Sequence, residues 1–347
     1  MRTAFTCALL ALAGGVTLGT DYTKERAVKV DSEFSLSREV TEMTMERDGE
    51  PVDMPDRGNG KTEQNWHIVQ VDTVQERDGK KPSKVKRHYE KVGGEFDMGD
   101  NQVELSSPFD ATTLELTADG DDVKVEVVEG AKPDHDGALE GHKLGLALDA
   151  LLPGKEVEKD ASWDLDKQQI NHALGLDLRK ALYPPQQRED TSGGDSGGGG
   201  RRRGGFGRGG GMGGIPADAD WTGKAHLVSL DEDVDGVKCA KIEIEISAHG
   251  DLPEPQMGGG RGRGRMLEPE SALPLLASTY SIEAKGEFTF AIEGKRPVKL
   301  ELEGTMETVT DREMTRQEST MKIHSKTQGK LKLKVDVSEQ ALEKEAK

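Results

Sequence analysis

The chain has 347 residues, with 47 Lys and Arg against 65 Asp and Glu, a formal charge of −18, and hydrophobic residues at 33% beside charged residues at 32%. That balance excludes a body that is drawn by net charge to nucleic acid or an anionic membrane, and it excludes one thick apolar globule in favour of thin layers with a wet face. Cys7 and Cys239 are the two cysteines, too few for a cysteine metal cluster or a disulfide framework.

In chain order, the first expectation is an export signal. Arg2 is the only charge before Asp21, and "TAFTCALLALAGGVTLGT" between them is apolar and small. A basic start, an apolar stretch and small residues at Thr17 and Gly19 predict a signal peptide over 1–19, cleaved after Gly19 to leave a chain of charge −19. Cys7 sits inside the apolar stretch, away from any cleavage point, and does not read as a lipidation site. No later segment approaches about 18 apolar residues, so no membrane span is expected after cleavage. The expected location is the periplasm, the cell surface or the medium.

Residues 20–134 read as a β-rich half, with strands near 25–46, 64–76, 84–91, 101–106, 111–118 and 122–129 separated by the turns "RDGE", "RDGKK" and "ADGDD". Residues 135–190 read as helical. In "ALEGHKLGLALDALLP" the stripe is Leu144, Leu148, Leu151 and Leu152, and in "DKQQINHALGLDLRKAL" it is Ile170, Leu174, Leu178, Ala181 and Leu182. A Gly/Arg-rich insert over 191–216 has no packing side chains and is expected to be disordered.

From 217 to 337 alternation dominates: "KIEIEIS", "YSIEAKGEFTFAIEG", "PVKLELEG" and "KLKLKVDV" each place apolar residues on one face and charges on the other. A second Gly/Arg loop over 256–266 interrupts this region and a polar tail follows over 338–347. The predicted fold class is α+β: a large antiparallel sheet, half-barrel or meander-like, of long strands, with about two helices on one face and disordered Gly/Arg-rich loops. "DASW" at Trp163 and "DADW" at Trp221 form a faint internal echo, and those tryptophans and Trp66 read as strand-end core residues.

The stretches "LLPGKEVEKDASWDL" and "GKAHLVSLDEDVDGVKCAKIEIEIS", followed by the meander, resemble a family of exported bacterial β-rich proteins of uncharacterised activity, similar in pattern to half-barrel folds that carry lipids in the periplasm. The resemblance covers about residues 140–337. It implies a compartment and a fold and carries no active-site residues.

Several motifs invite a sharper reading. "GDSGG" around Ser196 has the letters of a serine-protease nucleophile, but glycines give the serine no rigid seat and no histidine stands in a matching context. The overlapping GxGxxG at Gly205, Gly207 and Gly210 has neither a strand before it nor a helix after it. In "DEDVDGVKCAKIE", Asp231, Asp233 and Asp235 start like an EF-hand loop, but its twelfth position is Ile242. A hairpin turn is the simpler reading, and weak calcium binding at the three carboxylates is the alternative. Cys239 reads as a small buried side chain.

The arginines Arg201, Arg202, Arg203, Arg208, Arg261, Arg263 and Arg265 are read either as loop expansion or as a contact for anionic polysaccharide, lipid headgroups or extracellular DNA. Export disfavours intracellular nucleic acid. The expected role is a non-catalytic binding or structural module, holding an apolar ligand against Phe288, Phe290 and Leu300 or contacting the envelope. The alternatives are an adhesion or scaffold module whose Gly/Arg loops bind anionic polymers, and an enzyme built from distant carboxylates.

Overall fold

The computed structural model describes residues 15–22, 26–53, 60–97, 99, 102–135, 137–183, 215–216, 218–252, 275–316 and 319–340. A short strand β1 (Val16–Thr17) precedes β2 (Ala27–Arg47), β3 (Glu50–Pro51), β4 (Thr62–Asp78), β5 (Lys81–Asp97), β6 (Gln102–Ser106), β7 (Thr113–Asp119) and β8 (Asp122–Glu129). After a connecting region come β9 (Glu156–Val157), β10 (Ser162–Leu165) and the helices α1 (Lys167–Ala173) and α2 (Arg179–Leu182). The chain then runs through β11 (Trp221–Val234), β12 (Val237–Asp251), β13 (Leu275–Ala291), β14 (Arg296–Arg316) and β15 (Ser319–Gln340).

Thirteen of these strands form one antiparallel sheet in the order β10-β11-β12-β13-β14-β15-β2-β4-β5-β7-β8, with β3 added on β2 and β6 on β5. The sheet is open, because β10 and β8 at its ends do not pair with each other. Sequence neighbours pair throughout the meander, with one long-range exception: β15 pairs with β2, from Met321 opposite Arg47 to Gln340 opposite Ala27. That ladder joins the two β-rich regions into one body. The strand therefore runs through Ser338–Gln340, where a polar tail was expected, and residues 341–347 lie outside the described residues.

The turns follow the chemistry of their residues. Asp48 and Gly49 both have positive φ, as do Asp235 and Gly236, which is the two-residue hairpin geometry that Asp-Gly supplies. Alternation puts Ile242, Ile244, Ile246, Phe288, Leu300, Leu302, Leu331, Leu333, Val335 and Val337 in one buried cluster, with Phe34, Leu36 and Trp66 from β2 and β4. The glutamates and lysines between them face outward in paired rungs, among them Lys332–Glu303 at 2.7 Å.

Neither of the two helical segments expected between 135 and 190 forms one continuous helix. The first stretch is a 3-10 turn over Ala147–Leu151, flanked by extended Leu146 and Leu152. Gly137 and Gly141 upstream hold positive φ, and a Cβ on Gly141 would stand 2.4 Å from the Asp177 carbonyl oxygen. The apolar spacing still works as packing, since Leu148, Leu151 and Leu152 are buried. The second stretch breaks in two at Gly175, whose positive φ ends α1. Asp166 and Gln169 start that helix with a reciprocal capping box. Ile170, Ala181 and Leu182 are buried in the same cluster or beside it. The fold is thus mostly antiparallel β, with a small helical cover. Ile215, at the end of the expected 191–216 insert, is buried, while 191–214 and 256–266 lie outside the described residues.

Small residues let neighbouring strands approach. A Cβ on Gly286 would stand 1.8 Å from the Glu301 carbonyl oxygen, whereas one on Gly79, in an open turn with φ +59°, meets nothing within 4 Å. Gly286→Ala is therefore expected to cost more than about 3 kcal/mol in chemical denaturation, and Gly79→Ala only about 1 kcal/mol from its backbone conformation. Equal costs would contradict the close approach.

Candidate ligand-binding surfaces

The register defines a row that crosses the sheet. Gly286, Leu302, Leu333, Phe34, Trp66 and Gly94 stand opposite one another in succession on β13, β14, β15, β2, β4 and β5. One concavity lies on each side of this row.

On the apolar side, the row meets the helical cover. Phe34 and Trp66 pack with ring centroids 5.0 Å apart. The Arg179 guanidinium from α2 lies 4.5 Å from the Phe34 ring centre and 5.0 Å from that of Trp66. Burial pulls the Arg179 guanidinium down to about 10. A cavity of about 100 Å3 remains between Phe34, Trp66, Leu333, Leu178 and Leu182. Ligand sites for drug-sized molecules occupy roughly 300–1,000 Å3. Phe288, Phe290 and Leu300, named from the sequence as an apolar ligand face, are fully buried.

Polar groups are gathered at the edge of this cover. Arg87 donates to both oxygens of Asp72, at 2.8 and 2.7 Å, and to the Lys143 carbonyl at 3.2 Å. Burial acts to lower the Arg87 guanidinium, and Asp72 more than offsets it, so Arg87 stays charged inside the protein. His142 is packed against Tyr89 and Phe109, and burial with the Arg87 charge lowers it to about 4. Asp149, on the 3-10 turn, accepts hydrogen bonds from Thr20 and Tyr22. Burial raises its carboxyl to about 6. This set ties the N-terminal segment to the cover. Neither the Arg87–Asp72 pair nor Asp149 stood out in the sequence, because their partners are far away along the chain.

On the polar side, a groove of about 940 Å3 follows the same row. Its two banks are the residues before and after the row on each strand. One bank runs Lys285, Glu303, Lys332, Ser35, Asn65, Glu95, Glu104 in register. The other runs Glu287, Glu301, Lys334, Glu33, His67, Gly93. Strand spacing makes the groove about 29 Å long across seven strands, and residue spacing separates the banks by about 7 Å. Six glutamates line it against four lysines.

His67 is fixed within it. Lys91 donates to Nδ1 at 2.9 Å, so Nε2 carries the proton and donates to Asp31 at 2.8 Å. Asp31, Glu33 and His67 bring three ligand-type atoms within 4.8 Å, the one such group among the described residues. The Lys91 ammonium and the proton on Nε2 occupy the imidazole's two nitrogens, so a cation would have to displace both.

The acidic hairpin is placed plainly. Val234 pairs with Val237 around Asp235 and Gly236, and the Asp233 carboxylate accepts from the Gly236 amide at 2.9 Å. Asp231, Asp233 and Asp235 are not brought together as ligands in the way Asp31, Glu33 and His67 are. Cys239 is a buried free thiol on β12. At the open end of this hairpin Trp221 faces Ala248. Arg201, Arg202, Arg203, Arg208, Arg261, Arg263 and Arg265, with Ser196, lie outside the described residues.

No protein-family model matches the sequence, and no curated protein matches it. Among solved structures, the chain can be superposed on the crystal structure of a Pseudomonas aeruginosa FadL homologue over 93% of this chain and 95% of that one, at 6% identity and a TM-score of 0.21. No helix among the described residues is long and apolar enough to cross a membrane.

Asp149 sets a pH dependence. An unfolded aspartate titrates near 3.9, roughly, while Asp149 in the fold keeps its proton up to about 6. The folded state binds more protons between those values, so this group's contribution is complete below about pH 4 and is lost as pH rises through 6, by up to roughly 3 kcal/mol. In unfolding curves compared pairwise, the wild type should gain stability relative to Asp149→Asn as pH falls from 7 to 4. A flat difference would show that Asp149 is not held protonated.

Proposed function

We propose that the protein is an exported, non-catalytic module of the cell envelope that binds a linear, uncharged polar polymer, a neutral glycan chain, in the groove on the polar face of its sheet. The observation that carries this reading is the groove itself: about 940 Å3, bordered by two register-matched rows of hydrogen-bonding side chains. The two rows run side by side across the strands, about 7 Å apart between backbone positions, and an extended chain, rather than a globular partner, follows such a line. Glutamates, Asn65 and Ser35 offer acceptors and donors for hydroxyl groups. The excess of glutamate disfavours an anionic polymer at this place.

The apolar-ligand reading is weaker, because the cover leaves about 100 Å3 against the apolar face. We read the open sheet with its covered face as half-barrel in type, in keeping with the resemblance noted from the sequence. The adhesion reading, with Gly/Arg tracts touching anionic polymers, concerns residues outside the described ones.

Titration of the full chain with neutral linear oligosaccharides, followed by calorimetry, tests the groove. Binding is expected, and Asn65→Arg, which fills the middle of one bank, should weaken it at least about tenfold. Absence of binding, or binding that Asn65→Arg leaves unchanged, would sink the proposal.

A further inference from the structure

The large sheet ends on two edges that differ in kind. At one end β10 covers the start of β11, and backbone bonds from Asp160 and Ala161 extend that cover to Leu227. Beyond it β11 is irregular, with register shifts on either side of Ser229, and it carries Asp231, Glu232 and Asp233. Bulges and charges of this kind keep another strand from adding.

At the other end β8 pairs only with β7 among the described residues. It has no proline, and its one irregularity is the shift that leaves Val128 out of the ladder, between Leu114–Val127 and Thr113–Glu129. Asp119 and Asp122 pair across the two-residue turn at Gly120 and Asp121, so their own backbone groups bond to each other. Alternation then turns the amides and carbonyls of Val123, Val125 and Val127 outward, away from β7. The side chains of these valines are half-buried and pack against the main apolar cluster. On the opposite face Lys124 and Glu126 form an exposed ion pair at 2.8 Å. Val128, 48% exposed, is one of two large apolar side chains left exposed among the described residues.

This edge is complementary to itself. With a second copy laid antiparallel about a two-fold axis at Val125, the two Val125 residues face each other, Val123 faces Val127, and Lys124 faces Glu126. The three valine rungs are the ones whose backbone groups point outward, so they exchange about six hydrogen bonds. The charged rungs fall between them at the positions where side chains approach most closely, and the symmetry makes the opposite-charge pair twice. Moving the axis to Lys124 or to Glu126 would instead set like charges against each other.

We propose that β8 is a homodimer interface, at which two copies of this chain pair β8 to β8, antiparallel and centred on Val125. The valines carry the apolar layer from one copy into the next, and each copy satisfies the other's open edge. An isologous contact of this kind closes at two. The inference depends neither on the groove and its ligand nor on export.

The test is sedimentation equilibrium of the full chain in about 0.15 M salt, up to roughly 100 µM. A mass twice that of one chain is expected. Val125→Pro removes an outward amide that β7 does not use, a change edge strands tolerate, and should give a folded monomer by circular dichroism. Lys124→Glu sets like charges in both charged rungs and should weaken dimerisation at least about tenfold, and adding Glu126→Lys should restore it. If Val125→Pro loses its fold, Lys124→Glu and its rescue decide alone. A wild-type monomer throughout the range would overturn the proposal. So would a dimer that Lys124→Glu leaves intact, which would place the contact elsewhere, or assemblies that grow beyond two.

Discussion

The pairing of β15 with β2 is the constraint on which the rest of the structure depends. Both strands belong to runs of local hairpins, and without this ladder each run would be a sheet with a long exposed edge. With it, Gln340 stands opposite Ala27 and Leu333 opposite Phe34. Closing so long a loop has an entropic cost that grows only slowly with length, so a ladder of this length can offset it. The same topology makes folding slow relative to a locally paired meander, because the decisive contacts are distant in sequence.

This register gives the sheet two different faces at one level. The row through Leu302, Leu333, Phe34 and Trp66 is apolar on the side where α2 and Arg179 pack. One residue to either side along each strand, the side chains turn to the other face and form the banks of the groove. A slip of one residue between β15 and β2 would exchange these sets and bury lysines in the core. The cover is held by contacts that also reach across the chain, with Tyr22 and Thr20 on Asp149 and the Arg87–Asp72 pair beside Lys143.

Much of the sheet was legible in the sequence because alternation is a local signal. "KIEIEIS" and "KLKLKVDV" fix which side chains point inward without reference to any partner, and the Asp-Gly turns fix where the chain reverses. The helices were misjudged for an equally physical reason. Their leucine spacing satisfies packing under a 3-10 turn as well as in a helix, and Gly141 and Gly175 carry backbone conformations that a helix cannot continue through. The capping pair Asp166 and Gln169 marks only where α1 starts. The groove was not readable at all. Ser35, Asn65, Glu95 and Lys332 are unremarkable polar residues until the register sets them side by side.

The most direct measurement is therefore of the register itself, by oxidative cross-linking of cysteine pairs across β2 and β15. Directly opposed residues have Cβ atoms about 4.5–5.5 Å apart, near the range a disulfide can span, whereas positions displaced by two along the strand are farther away. Glu33 faces Lys334. The account predicts that Glu33→Cys with Lys334→Cys closes a disulfide on mild oxidation, seen as faster migration in a denaturing gel, and that Glu33→Cys with Lys332→Cys does not. Efficient closure of the second pair and not the first would contradict the register, and with it both the packed row and the groove.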